Sequence, residues 1–100
     1  MTRLHIDLRE GFDGDDVEID VDGRRVYARS GVRTDYSVGL ADSVEVEVAG
    51  AAARVHVWLR GRGLAAEKSV PLQAPVQYLA VTAAPTAIGL APLEEEPRYF

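Results

Sequence analysis

Apolar and polar residues alternate with a period of two through most of the chain. In the clearest runs every second residue is Leu, Ile or Val, and the residues between them are mostly charged. These runs are residues 4–8, 17–21, 44–48 and 55–59. The alternation predicts strands with one buried face and one solvated face. Less regular runs predict further strands, at residues 25–29, 32–40, 64–70, 77–82 and 86–90.

Turn signals separate these runs. Asp22-Gly23 follows an alternating run, and this pair favours a type I′ hairpin because both central residues need positive φ. A short turn around Gly50 predicts a second hairpin between residues 44–48 and 55–59. No stretch of eleven or more residues keeps a 3.6-residue period, so the sequence predicts no long helix.

About seven to nine short strands with frequent turns predict an all-β fold. We expect an antiparallel β-sandwich, Ig-like or prealbumin-like, or a small barrel. The chain has 100 residues, which suits one core, so we expect a single domain over residues 1–96 and a C-terminal tail over residues 97–100. In that tail, Tyr99 and Phe100 either fold back into a groove or offer an anchor to a partner, and removal of the tail lowers the melting temperature only if it folds back.

The charge balance argues against a nucleic-acid partner. Eleven basic and sixteen acidic residues give a net charge of −5, and the excess of carboxylates lies in the first half of the chain. Only a small cluster of Arg54, Arg60 and Arg62 offers a polyanion any attraction. Ten of the eleven basic residues are Arg and Asn is absent, which is typical of a GC-rich bacterial genome.

The same composition indicates a cytoplasmic protein that has no contact with membranes. The first ten residues lack an apolar leader region, and four prolines interrupt the weakly charged residues 69–93. Cysteine is absent, so disulfides and thiolate chemistry are excluded.

The acidic residues 12–23 raise the possibility of a calcium site. The best EF-hand register begins at Glu18 and puts Arg29 at the twelfth position, where a carboxylate is required. We therefore predict a solvated acidic loop at residues 13–16 and a solvated acidic strand face after it, with a weak cation site in the loop as the alternative. His5 and His56 are the only histidines and are too few for a transition-metal site. The sequence predicts neither a metal nor a cofactor.

No catalytic motif is present. None of the serines lies in a G-x-S-x-G turn, and no glycine-rich phosphate loop opens a helix. A hydrolase that pairs a histidine with a distant carboxylate is the weakest of the functions we consider.

Aromatic and arginine side chains form the most informative candidate site. One face of residues 54–60 carries Arg54, His56, Trp58 and Arg60. Alternation places Tyr27 with Arg25 and Arg29 on the face of another strand. If the two strands are neighbours, their side chains form a patch suited to a sugar or a peptide. The alternative is that Trp58 packs into the sandwich.

Residues 32–40 combine polar and apolar positions without a clear period. We predict an extended segment with a bend, in which Asp35 accepts backbone amides and the Tyr36 hydroxyl pins a neighbouring strand.

The hairpin Val21-Asp22-Gly23-Arg24-Arg25-Val26-Tyr27, the threonine-bearing bend that follows it and the later strand–glycine–strand unit form a familiar series. Over residues 16–63 it resembles prealbumin-like sandwich modules of the PEGA and carboxypeptidase-regulatory type. The chain departs from their Pro-x-Gly turn and has Ala49-Gly50 instead. The resemblance implies a scaffold that contacts other proteins.

These observations favour a non-catalytic β-sandwich that acts through protein–protein contacts, including a homodimer paired through strand edges. The alternative is a small-ligand or carbohydrate-binding module that uses Trp58, Tyr27, Arg60 and His56.

Overall fold

Eight strands fold into two four-stranded sheets whose apolar faces pack against each other in a computed structural model that describes residues 1–94. The strands are β1 (Thr2–Leu8), β2 (Asp13–Val21), β3 (Arg24–Arg33), β4 (Asp42–Val48), β5 (Ala52–Leu59), β6 (Leu64–Pro71), β7 (Val76–Ala83) and β8 (Ile88–Leu93). The β1 sheet has the order β4-β1-β7-β8, and the β2 sheet has the order β3-β2-β5-β6. The predicted all-β sandwich is confirmed at this level.

The core lies between the sheets and follows the period-two pattern. Along β2, Val17 and Ile19 are fully buried, whereas the intervening Glu18 points to the opposite, solvated face. Phe12, just before β2, is also buried, although it lies outside every alternating run. One apolar cluster therefore joins both sheets across the sandwich.

One strand pair departs from the predicted antiparallel arrangement. β1 and β7 run parallel, with His5 opposite Tyr78. Parallel neighbours need a crossover connection, and here the chain supplies one by building the β2 sheet between β1 and β7. The Ig-like or prealbumin-like topology stays a prediction.

The first predicted hairpin is confirmed and the second is wrong. Asp22 and Gly23 have φ values of 52° and 80°, as a type I′ turn between β2 and β3 requires. β4, however, pairs with β1, while β5 pairs with β2 and β6 in the other sheet. The link around Gly50 thus carries the chain from one sheet to the other. Alternation identifies the buried face of a strand but not the neighbour of that strand.

The bend after β3 forms largely as expected. The Asp35 side chain accepts hydrogen bonds from the hydroxyl and the backbone amide of Ser37, and these bonds lower the pKa of Asp35. The Tyr36 hydroxyl accepts a hydrogen bond from the backbone N–H of Gly11 at 3.1 Å. Tyr36 therefore pins the β1–β2 connection and not a neighbouring strand. The extended part ends at Arg33, where β3 ends.

The β1–β2 connection packs tightly against the end of β7. Gly11 has a φ of +90°, and a Cβ at this position would lie 1.7 Å from the carbonyl oxygen of Ala83. The buried Thr34 hydroxyl donates to the carbonyl oxygen of Arg9 at 2.7 Å and accepts from the backbone N–H of Phe12 at 3.1 Å. This end of the sandwich is consequently held by specific polar contacts.

Two sequence predictions concern other parts of the chain. Within residues 1–94 no helix has the length and apolar character to cross a bilayer. The predicted tail at residues 97–100, with Tyr99 and Phe100, lies outside the described residues.

Candidate functional site

The outer face of the β2 sheet collects most of the predicted site residues. Because Val55, Val57 and Leu59 fill the core, His56 and Trp58 of β5 point away from it. We call this surface the aromatic–arginine face, and its members are Glu18, Asp20, Arg25, Arg54, His56, Trp58, Arg60 and Glu67. Four strands contribute to the sheet beneath it, so the side chains stand on a rigid support.

Trp58 is the centre of this face and is half-buried. The His56 ring stacks on it with centroids 3.8 Å apart and planes inclined by 22°. The guanidinium carbons of Arg25 and Arg60 lie 5.5 and 5.0 Å from the indole centroid, within cation–π range. The indole is therefore already contacted by one imidazole and two cations of its own chain.

The charged groups of the face are paired with one another. Arg60 bonds to Glu18, and this hydrogen bond lowers the pKa of the Glu18 carboxyl. Arg25 bridges Glu18, at 3.0 Å, and Asp20, whose carboxylate raises the pKa of the Arg25 guanidinium.

A second pair continues the pattern on the neighbouring strand. Arg54 bonds to Glu67 and lowers the pKa of that carboxyl, and His56 Nδ1 lies 3.6 Å from Glu67 Oε2. The aromatic–arginine face thus satisfies most of its own charges before any ligand arrives.

Tyr27 does not belong to this face, contrary to the sequence prediction. Ile19 pairs with Tyr27 but Asp20 pairs with Arg25, so a bulge at Val26 puts Arg25 and Tyr27 on opposite faces of β3. Tyr27 is buried in the core, and its hydroxyl donates to Asp42 Oδ2 at 2.8 Å. Burial, followed by this hydrogen bond, raises the pKa of Tyr27. The extra residue, Val26, therefore turns the Tyr27 side chain to the face opposite Arg25, whereas regular alternation predicts that the two share a face.

Arg62 lies apart from Arg54 and Arg60 of the predicted arginine cluster. It binds the acidic segment at residues 13–16 instead. Its guanidinium holds Asp15 through two bonds of 2.8 Å and reaches the carbonyl oxygens of Gly11 and Ala84. Residues 13–16 belong to β2 and not to a loop, and Asp15 is buried, so the predicted loop is wrong; Asp13 and Asp16 are solvent-exposed as predicted. All three arginines of the cluster are engaged with carboxylates, so the cluster presents no free cationic surface to a polyanion. Nothing in the sequence pattern could have linked two residues that lie 47 positions apart.

The two histidines lie on the outer faces of different sheets. His5 Nε2 lies 2.7 Å from Asp7 Oδ1, its Nδ1 lies 3.4 Å from Glu45 Oε1, and its ring is 5.6 Å from that of Tyr78. Within residues 1–94 no group of three or more His, Asp or Glu side chains is arranged to hold a metal ion.

The sheet edges form two sides of the sandwich. On one, the β3/β4 side, β3 and β4 flank depressions of about 260 and 280 Å³ separated by the Tyr27–Asp42 contact. On the other, the β6/β8 side, a depression of about 460 Å³ is lined in part by Pro71 and Pro92. A further depression of about 290 Å³ lies between Arg60 and Ser30, beside the aromatic–arginine face.

Comparison with known proteins adds nothing to this description of the fold and of its surfaces. The resemblance to PEGA-type modules stays a prediction, since the comparisons neither support nor oppose it. No family model, no curated protein and no solved structure matches this chain.

Proposed function

We propose that this protein is a non-catalytic module that works by contacting another protein chain through its β3/β4 side. The observation that carries the proposal is the pair of sheet edges that lie together there. Each edge strand has main-chain N–H and C=O groups facing away from its sheet, which is the usual template for addition of a further strand. Two such edges side by side offer an extended contact surface.

The opposite side of the sandwich is less suited to strand addition. Pro71 ends β6 and Pro92 lies within β8, and a proline cannot donate a main-chain hydrogen bond to an added strand. β3 and β4 contain no proline. This difference favours the β3/β4 side.

Ligand binding on the aromatic–arginine face is the second candidate, because the structure does bring Trp58, His56 and Arg60 together. The self-pairing of the arginines weighs against it, since a sugar or carboxylate would have to displace Glu18. Tryptophan fluorescence during titration with a panel of glycans and metabolites tests this candidate, and Trp58→Phe is the blank. A saturable response in the native chain would replace the protein-contact proposal with this one.

A hydrolase has less support. His5 and Asp7 form a histidine–carboxylate pair, yet neither histidine lines any of the four depressions described above. We therefore propose no reaction.

Site-specific photo-crosslinking tests the protein-contact proposal. A photoreactive residue replaces exposed Ser30 in β3, and the matched control carries the same residue at exposed Ser69 in β6. Both variants are irradiated in the cells that naturally produce the chain. We expect a protein adduct, of any identity, from position 30 and none from position 69. Absence of an adduct at position 30, or equal adducts at both positions, would contradict the proposal.

A further inference from the structure

The partner on the β3/β4 side has a specific chemistry. Resting on the proposed function, we infer that it is a second copy of this chain, related to the first by a twofold axis that lies along that side. The inference depends on the relative direction of the two edge strands, on their charges and on the area of the side.

β3 and β4 run in opposite directions along the side. Val26, near the start of β3, borders the same depression as Val48 at the end of β4. Arg33, at the end of β3, borders the same depression as Asp42 at the start of β4. The start of each edge strand therefore lies beside the end of the other.

A twofold axis that lies in the plane of the side and runs along its strands exchanges the two layers of the sandwich between the copies. It sets β3 of one copy against β4 of the other, and the same contact recurs on the far side of the axis. This axis keeps the direction of each strand, and β3 and β4 are antiparallel within one copy, so the new pairs between the copies are also antiparallel. Both sheets then continue from one copy into the next.

The two edges carry opposite charges. β3 has four arginines and no acidic residue. Arg29 pairs with Asp42 and Arg33 with Asp13 inside one copy, yet the two arginine side chains remain 68% and 69% exposed. β4 has Asp42, Glu45 and Glu47 and no basic residue. Arg24 has no ion-pair partner among the described residues.

In the twofold arrangement every basic position meets an acidic strand. Arg24 comes level with the end of β4 of the second copy, near Glu47, and Arg33 comes level with its start, near Asp42. Pairing of β3 with β3 would instead oppose arginines, and pairing of β4 with β4 would oppose carboxylates. Charge therefore selects pairing of β3 with β4 over the other two edge pairings, in a chain whose net charge of −5 disfavours unspecific association.

The β3/β4 side is small for a stable protein–protein interface. The molecule measures 33 × 31 × 19 Å, so its narrow side spans roughly 600 Å² per copy. This lies below the about 800 Å² per partner of a standard stable interface. We therefore expect a reversible dimer with a dissociation constant in the micromolar range, weakened by salt because its charges are exposed.

Charge reversal on the two edges tests the inference. Arg24→Glu with Arg33→Glu puts a carboxylate at each end of β3 and removes its net positive charge, and Glu45→Arg with Glu47→Arg makes β4 basic like β3. The matched control, Arg54→Glu with Lys68→Glu, changes the net charge as much as the first variant does but lies off the β3/β4 side. Sedimentation velocity at low salt measures association up to about 0.5 mM, and circular dichroism confirms that each variant is folded.

We expect the native chain and the control to dimerise, each reversed variant to remain monomeric, and an equimolar mixture of the two reversed variants to form a heterodimer. A strictly monomeric native chain, or a dimer that survives both reversals, would overturn the inference. A monomer that still gives an adduct with a different protein at position 30 would leave the proposed function standing, so the two failures are distinguishable.

Discussion

At the scale of single residues, Arg62 holds one end of the sandwich. It joins the start of β2, through Asp15, to the carbonyl oxygens of Gly11 and Ala84 in the connections that flank β1 and β7. Its side chain is 25% exposed and that of Asp15 only 7%. An ion pair so shielded is costly to break because the remaining charge stays buried without its partner.

We expect Arg62→Ala to lower the free energy of unfolding by about 3 kcal/mol. Arg3→Ala is the control, since Arg3 forms only exposed ion pairs, and it should cost less than about 1 kcal/mol. Urea unfolding measures both values. Adding Asp15→Ala to Arg62→Ala should recover part of the loss because the stranded carboxylate is then removed. Equal costs for Arg62 and Arg3 would contradict this role.

Tyr27 gives the fold a sensitivity to alkaline pH. Burial and the bond to Asp42 raise the pKa of Tyr27 above its ordinary value of 10.0. The hydroxyl therefore contributes its full stabilisation below pH 10. Above that pH the unfolded chain releases the proton and the folded chain retains it, so the contribution falls as pH rises.

Tyr27→Phe isolates this effect. At neutral pH the variant should be less stable by about 1 kcal/mol, the usual net contribution of one hydrogen bond. The difference in unfolding free energy between native chain and variant should stay constant up to about pH 10 and narrow above it. Chemical denaturation at a series of pH values measures the difference, in which the titration of other groups cancels. A difference that does not change with pH would refute the assignment.

At the scale of strands and connections, Gly11 shows how a backbone contact constrains the sequence. Gly11 and Gly50 have nearly the same φ, 90° and 93°, but only at Gly11 would a Cβ meet another atom. We expect Gly50→Ala to cost about 1–2 kcal/mol from its left-handed backbone. Gly11→Ala should cost about 1–3 kcal/mol more, because the methyl group displaces the end of β7. Thermal unfolding of the two variants compares them, and similar losses would show that the close approach is unimportant.

The strands themselves were predictable to the extent that local pattern determines them. The alternating runs located β1, β2, β4 and β5, and Asp22-Gly23 identified the β2–β3 turn, because each depends on neighbouring residues only. The pairing of β4 with β1 was not predictable, since it depends on contacts between distant parts of the chain. The same limit applies to the candidate site. Trp58, His56 and Arg60 share a face because one strand carries them, whereas the bulge at Val26 removed Tyr27.

At the scale of the whole molecule, charge is organised by surface. The aromatic–arginine face mixes both signs and pairs them internally, while β3 and β4 each carry a single sign at the edge of a sheet. Ion pairs within the chain hold the charged side chains in place, but a partner gains little binding free energy from charges that are already paired. Most charges of β3 and β4 are also paired within the chain, but these pairs are largely exposed and Arg24 lies outside them, so a strand of opposite sign can still gain by pairing there. The distribution thus favours the β3/β4 side for contacts and the aromatic–arginine face for rigidity.

A contact of this kind couples association to folding, which gives a prediction for the intact chain. Because only folded copies present both edges, dimer formation should raise the melting temperature as protein concentration rises above the dissociation constant. A hundredfold excess over that constant adds about 2.7 kcal/mol per bound site, enough for a shift of several degrees in a domain of this size. Scanning calorimetry over a wide concentration range at low salt measures the shift. High salt should abolish it, as should Arg24→Glu with Arg33→Glu, whereas the Arg54→Glu, Lys68→Glu control should keep it. A melting temperature that is independent of concentration in the native chain would mean that folding and association are not linked through these edges.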